Sequence, residues 1–186
     1  YRGVLPSIGR LDGLRFGSAH GGRIDTGVYE GADVSPFYDP MIAKVIAHGN
    51  SREQAIARLS DMLEGTAVYP VRTNAAFLVK ALAHPQFAAG SVDTGLIGRD
   101  GEALAQPVPP SEATLAKAAM ALLSNSAVPG FRLNAPAHLR GRFLLEGEHV
   151  EIALTGHGSE QPRQSVVVTE MGQAWLLEPW REKGAY

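Results

Sequence analysis

The chain has 186 residues, room for one ordinary domain or two small ones, and 45% of them are apolar, enough for a packed core. Formal charge is −2 with no basic tract, which excludes a nucleic-acid face built on clustered Lys and Arg. No cysteine is present, so disulfide frameworks, thiolate zinc sites and cysteine nucleophiles are excluded, and a cytoplasmic setting is expected. No run approaches the roughly 18–20 apolar residues of a membrane span, so no membrane partner is expected either. Tyr1-Arg-Gly-Val-Leu5 has neither an initiator methionine nor a signal-peptide pattern, and the chain is expected to begin inside a longer protein.

The first elements are short strands divided by glycines. Arg10–Phe16 alternates loosely, and Gly22–Tyr29 places Ile24, Thr26 and Val28 on one face at a period of two. Gly17-Ser-Ala-His-Gly-Gly22 between them is turn chemistry. Pro40–Gly49 reads as a third strand, with Met41-Ile42 and Val45-Ile46 predicting burial on both faces. Lys44 inside it either finds a carboxylate or sits at an edge with its stem reaching water. Tyr38-Asp39-Pro40 is a turn entering that strand, or a wall of an interface or active site. Arg23 and Asp25 share a strand face, as a surface ion pair or with the arginine fork reaching a partner chain.

Helices follow. Asn50 or Ser51 caps the first, with Glu53 and Gln54 three residues after each. Ala55, Ile56, Leu59, Met62 and Leu63 form its apolar stripe. Gly65 ends it, with a left-handed C-cap expected. Val68–Arg72 is a short strand. Thr73 or Asn74 starts a second helix with Phe77, Leu78, Ala81 and Leu82 inward, and His84-Pro85 stops it. Gln106-Pro-Val-Pro-Pro-Ser111 reads as a stiff extended linker. The division is residues 1–100, a proline-rich linker over 101–110, and a second part over 111–186.

The second part opens with a helix from Ser111, with Leu115, Ala118, Ala119, Leu122 and Leu123 on one face. Two hairpins follow, Arg140–Glu146 with His149–Leu154 and Ser165–Glu170 with Gln173–Leu177. Four strands and a helix make a thin core with open edges, so strands are expected to be missing around Gly156–Arg163 or beyond the chain. The fold class is α+β: an antiparallel sheet with helices, then a helix and a small, incomplete β-barrel-like module.

Chemistry-bearing constellations are few. His20, His48, His84, His138, His149 and His157 show no i, i+4 pair and no H-E-x-x-H, so no metal site is expected. His157 in its glycine-rich loop reads as a solvated histidine. No G-x-S-x-G elbow, Walker loop or G-x-G-x-x-G is present. From the residues alone the reading stops at an α+β domain with a small β-rich module.

Ordered motifs carry the reading further. Leu5-Pro-Ser-Ile-Gly-Arg-Leu11, Gly22-Arg-Ile-Asp-Thr-Gly-Val28 and Val34-Ser-Pro-Phe-Tyr-Asp-Pro-Met-Ile-Ala-Lys-Val-Ile46 resemble the C-terminal domain of biotin carboxylase. Arg52-Glu-x-Ala-Ile-Ala-Arg58, Val71-Arg-Thr-Asn-x-x-Phe-Leu78, His84-Pro-x-Phe87 and Val92-Asp-Thr-Gly-Leu-Ile97 extend the resemblance through residues 4–98. It implies a ligase that uses ATP, magnesium and bicarbonate to carboxylate biotin. In it this domain packs against an ATP-grasp core, helps close the active site and supplies dimer contact. It implies that Arg23 lies at the dimer contact with His20 three residues before it, where the family often has phenylalanine. Tyr38 and Asp39 are placed at an interface, and Thr94 near the adenine. Nothing in the chain resembles the ATP-grasp lysines, the metal-binding glutamates or the catalytic arginine. A Met-Lys-Met biotinylation site is absent too, so no catalytic residue is assigned. The resemblance therefore implies a fragment that binds none of these cofactors alone and hydrolyses no ATP.

The helix, Phe131-Arg-Leu-Asn134 and the antiparallel strands are similar to the segment between biotin carboxylase and biotin carrier in acyl-CoA carboxylase α subunits. That implies partners: the chain's own ATP-grasp and biotin carrier domains, a carboxyltransferase β subunit and a second α subunit. Arg-Leu-Asn is closest to the methylcrotonyl-CoA branch, with propionyl-CoA and acetyl-CoA branches open. The alternatives are a pyruvate carboxylase fragment and a docking module without chemistry.

Overall fold

The structure is a computed structural model that describes residues 7–18, 20–37, 41–123, 138–145, 148–155, 166–170 and 173–179. The chain divides into two compact units, with the main boundary between Pro109 and Pro110.

The first unit runs β1 (Gly9–Arg10), β2 (Gly13–Arg15), β3 (Gly22–Thr26), β4 (Asp33–Val34), β5 (Ala43–Ala47), α1 (Arg52–Glu64), β6 (Ala67–Tyr69), α2 (Ala75–Leu82), α3 (Pro85–Ala88) and α4 (Leu96–Ala105). The strands pair as three antiparallel two-stranded ladders, β1 with β4, β2 with β6 and β3 with β5. The strand expected over Arg10–Phe16 is broken at Leu11-Asp12. Leu11 leaves the extended line because its N–H donates to the Ala32 carbonyl (2.8 Å) and its own carbonyl accepts from Gly31 N–H (2.7 Å). That exchange drops the Leu11 side chain, 0% exposed, among Val34, Val68 and Val71. β3 stops at Thr26, whose hydroxyl donates to the Ile42 carbonyl at 2.8 Å. The expectation of burial on both faces of Pro40–Gly49 is corrected: β5 alternates, with Lys44 and Ile46 exposed. A two-stranded ladder has only one covered face, so period two wins over the apolar run.

α1 forms as the caps require. Ser51 is extended, and its hydroxyl accepts from Gln54 N–H at 3.2 Å, while Gln54 Oε1 accepts from Asn50 N–H at 2.7 Å. Its stripe meets a second cluster built on Leu63, Val79 and Leu82, with Val45, Ile56, Leu59 and Phe87 packed against it. Gly65 is not left-handed; its φ is −76°. Glycine is needed there for a different reason, since an added Cβ would lie 3.0 Å from the Gly17 Cα. The inward residues of α2 are also corrected. Val79 is buried and Leu78 is exposed, because the helix turns Val79 and Leu82 towards Leu63 of α1. β6 ends at Tyr69, ahead of Pro70, rather than running to Arg72. α4 takes in residues 101–105, read above as proline-rich linker; the departure from helix comes at Gln106.

The second unit packs α5 (Glu112–Leu123) against β7 (His138–Leu145) and β8 (Glu148–Thr155). Ser111 caps α5, its hydroxyl accepting from Thr114 N–H at 3.2 Å. Ala118 and Ala119 are buried, and small side chains there let the helix approach the sheet closely. Phe143 on β7 is buried as well, 1% exposed. With β9 (Val166–Glu170) and β10 (Gln173–Pro179) the sheet order is β8-β7-β10-β9. This is an open sheet, and no barrel closes among the described residues, since four strands of five to eight residues are too few to meet edge to edge. Gly156–Arg163 and Phe131–Asn134 lie outside the described residues.

Candidate functional site

Two surfaces of the first unit carry the residues singled out above. Tyr38 and Asp39 lie outside the described residues. On either side of them Phe37 is 89% exposed and Met41 52% exposed.

The first surface is the open face of the β3–β5 ladder. Register sets Arg23 opposite Ile46 and Asp25 opposite Lys44, and all four are exposed. Arg23 Nε lies 3.3 Å from Asp25 Oδ1, so the surface ion pair forms. Lys44 takes the exposed alternative and faces Asp25 across the ladder. Opposite charges in cross-strand positions contribute a few tenths of a kcal/mol up to about 1 kcal/mol. His20 lies in the turn before β3, with its Nδ1 against the Ser18 hydroxyl. Gly21 beside it has φ +75°, a conformation that suits glycine.

Two arginines of the motif Arg52–Arg58 hold this frame. Arg58 on α1 donates to the His48 carbonyl at 2.6 Å, and His48 N–H donates to the Gly21 carbonyl at 2.9 Å. The His20 turn is thus fastened to α1 through the end of β5. Arg52, six residues earlier, donates to the Phe87 carbonyl (3.1 Å) and the Ala88 carbonyl (3.2 Å) and lies over the Phe87 ring at 5.0 Å. The signal in the sequence is that both arginines stand in the motif Arg52–Arg58 and Phe87 in His84-Pro-x-Phe87.

The second surface is the loop 91–95 between α3 and α4, which carries Thr94, exposed. Asp93 Oδ1 accepts from Gly95 N–H at 2.7 Å and from Arg99 Nη1 at 3.0 Å. The Arg99 contact, then the Gly95 amide, holds the Asp93 carboxyl below its usual range. His84 caps α3, its Nδ1 accepting from Gln86 N–H at 3.3 Å, and its Nε2 lies 3.5 Å from Asp100 Oδ2 on α4. Asp93 stands in the motif Val92–Ile97 without a role assigned there, and Arg99 lies just beyond it. Their spacing of six, across a helix start that glycines disguise, is the signal that was present. His20 and Arg23 share one ladder, whereas Thr94 stands on a separate element. Among the described residues no group of three or more His, Asp or Glu converges as a metal site.

A depressed folded value makes Asp93 a stabilising charge above its unfolded pKa, with the effect lost as pH falls through the folded value. The Gly95 amide resonance should therefore titrate with a midpoint below the ordinary 3.8. A midpoint at or above that value contradicts the Arg99 contact.

The first unit is an α+β domain of paired ladders and packed helices with an arginine-braced surface loop. Residues 1–99 match the model of the biotin carboxylase C-terminal domain, and the chain belongs to that family. It is 40% identical over 121 residues to the mitochondrial methylcrotonoyl-CoA carboxylase subunit alpha of Dictyostelium discoideum, covering 64% of this chain and 17% of that protein. The chain thus spans less than a fifth of that relative's length. It is similar in structure to a Rhizobium etli pyruvate carboxylase variant solved with the allosteric activator acetyl coenzyme A, with TM-score 0.55 and 29% identity, over 74% of this chain and 14% of that one. The biotin carboxylase domain dimer of Hydrogenobacter thermophilus 2-oxoglutarate carboxylase, in complex with MgADP, ADP and bicarbonate, shares the fold, with TM-score 0.52 and 24% identity over 55% and 23% of the two chains.

Proposed function

We propose that the chain is the C-terminal lobe of the biotin carboxylase of an acyl-CoA carboxylase α subunit, followed by the segment that meets the carboxyltransferase β subunit. The supporting observation is that the methylcrotonoyl-CoA carboxylase likeness takes in more of the chain than the family match over residues 1–99. The parent reaction in this reading is carboxylation of biotin from bicarbonate with MgATP, for transfer to an acyl-CoA. This lobe supports that chemistry without supplying a reacting group. Thr94 stands beside the adenine, and His20, Arg23, Tyr38 and Asp39 belong to contacts with the ATP-grasp core or a second α subunit. The exposed Arg23, Ile46, Asp25 and Lys44 suit such a contact, since both charge signs flank an apolar side chain on one face.

Pyruvate carboxylase is the second reading, favoured by the Rhizobium etli likeness over 74% of the chain. Purified alone, this chain is expected to show no biotin-dependent ATPase activity, while the full-length parent shows it. ATP turnover by the chain alone removes the proposal. Given the complete parent and its β subunit, carboxylation of methylcrotonoyl-CoA is the expected outcome; carboxylation of pyruvate selects the second reading.

A further inference from the structure

Resting on the reading of Thr94 as an adenine neighbour, we infer that Arg99, with Asp93 and Gln86, forms a bracket that positions the Thr94 loop for the nucleotide base. The bracket closes around Thr94 from both sides. Asp93 Oδ1 and the Gly95 amide meet at 2.7 Å, so one hydrogen bond spans Thr94. Arg99, within the first turns of α4, donates through Nη1 to both Asp93 oxygens, at 3.0 and 3.3 Å, and through Nη2 to Gln86 Oε1 at 3.1 Å. At the other end of the loop the Gln86 carbonyl accepts from Ser91 N–H at 3.0 Å. One residue of α3 therefore holds the start of the loop directly and its end through Arg99, and Arg52 anchors α3 to α1 through the Phe87 and Ala88 carbonyls.

The residue types fit this role. A guanidinium fork serves a carboxylate and an amide oxygen at once; an ammonium on a flexible stem holds that geometry poorly. Gly95 leaves room for the bracket, since a Cβ there would lie 2.6 Å from Arg99 Nη1 and 3.0 Å from Asp93 Oδ1. The charges cancel within the loop. Asp93 occupies the amide at the start of α4, and Arg99 balances Asp93, so the loop offers no free charge to a triphosphate. What it presents is a short, branched, exposed side chain, which suits the uncharged edge of a base.

Exposed ion pairs contribute little to stability. Breaking this one should loosen the loop and leave the fold intact, which separates positioning from structural support. In the full-length parent enzyme, Arg99→Gln is expected to raise KM for ATP about tenfold with kcat within about twofold and an unchanged melting temperature. Arg99→Lys is expected to fall between Arg99→Gln and the parent. Thr94→Arg tests the underlying reading and should raise KM for ATP at least as much. If Thr94→Arg acts and Arg99→Gln leaves KM unchanged, the bracket is overturned and the adenine reading stands. If Thr94→Arg leaves KM unchanged, the adenine reading falls and the bracket with it. A joint fall in kcat and melting temperature in Arg99→Gln reduces Arg99 to a structural residue and also overturns the inference.

Discussion

Gly17→Ala is expected to destabilise the first unit by about 3 kcal/mol, at the upper end of ordinary overpacking. A Cβ at Gly17 would sit 2.3 Å from the Met62 carbonyl oxygen and 3.1 Å from its Cα. Those are backbone atoms within α1, so no side-chain rotation relieves the overlap. The crossing is fastened as well: Gly17 N–H donates to Thr66 Oγ1 at 3.2 Å, and that hydroxyl donates to the Met62 carbonyl at 2.8 Å. Moving Gly17 away breaks the first of these bonds. Gly22 approaches the same place, with a Cβ 2.4 Å from the Ile46 carbonyl oxygen and 2.7 Å from Met62 Sδ. The glycines bounding the turn are therefore there for close packing over Met62, and the backbone freedom is used at Gly21. Gly98→Ala is the contrasting substitution. It lies inside α4 with nothing within 4 Å of the added methyl, and helix propensity alone should give about 0.5–1 kcal/mol of stabilisation. Urea unfolding followed by amide exchange of α1 peptides measures both. A Gly17→Ala loss below about 1 kcal/mol means the crossing yields and the close-packing account is wrong.

Leu11→Ala carries the second large effect, a loss of about 2–5 kcal/mol. Leu11 is fully buried, and its cluster draws Val34 from β4, Val68 from β6 and Val71 from the segment after it, with Leu14, Val28 and Ile42 against them. Three separate ladders of two strands have little stability of their own. Their shared apolar centre is what joins β1–β4 to β2–β6, and Leu11 lies between β1 and β2 in the chain. Leu11→Met keeps the volume and should lose less than about 1.5 kcal/mol. Equal losses in the two variants exclude a cavity as the cause.

The same residues show how far reading the chain in one dimension goes. The cap of α1 at Ser51 and the stripe from Ala55 to Leu63 depend on neighbours three and four positions away, so they stand in the sequence. The ordered motifs from Leu5 to Ile97 likewise carried the family. α4 was hidden because Gly98 and Gly101 look like loop residues and the prolines from Pro107 to Pro110 drew attention to a linker. Val79 replaced Leu78 in the core of α2 because α1 chooses which side of α2 is covered, and the apolar run Ala75–Val79 offers several.

Local pattern and composition were enough for the starts of α1 and α5, the alternation of β3, the absence of thiol chemistry and the membership of a family. Contacts between distant segments were needed for the break at Leu11, where Ala32 supplies the partner, and for the purposes of Gly17, Gly22 and Gly65, which exist only where the turn crosses α1. The roles of Arg52, Arg58 and Arg99 belong to that second group for the same physical reason. A long, flexible cation has many acceptors within reach along a chain, and folding selects which carbonyl or carboxylate it meets.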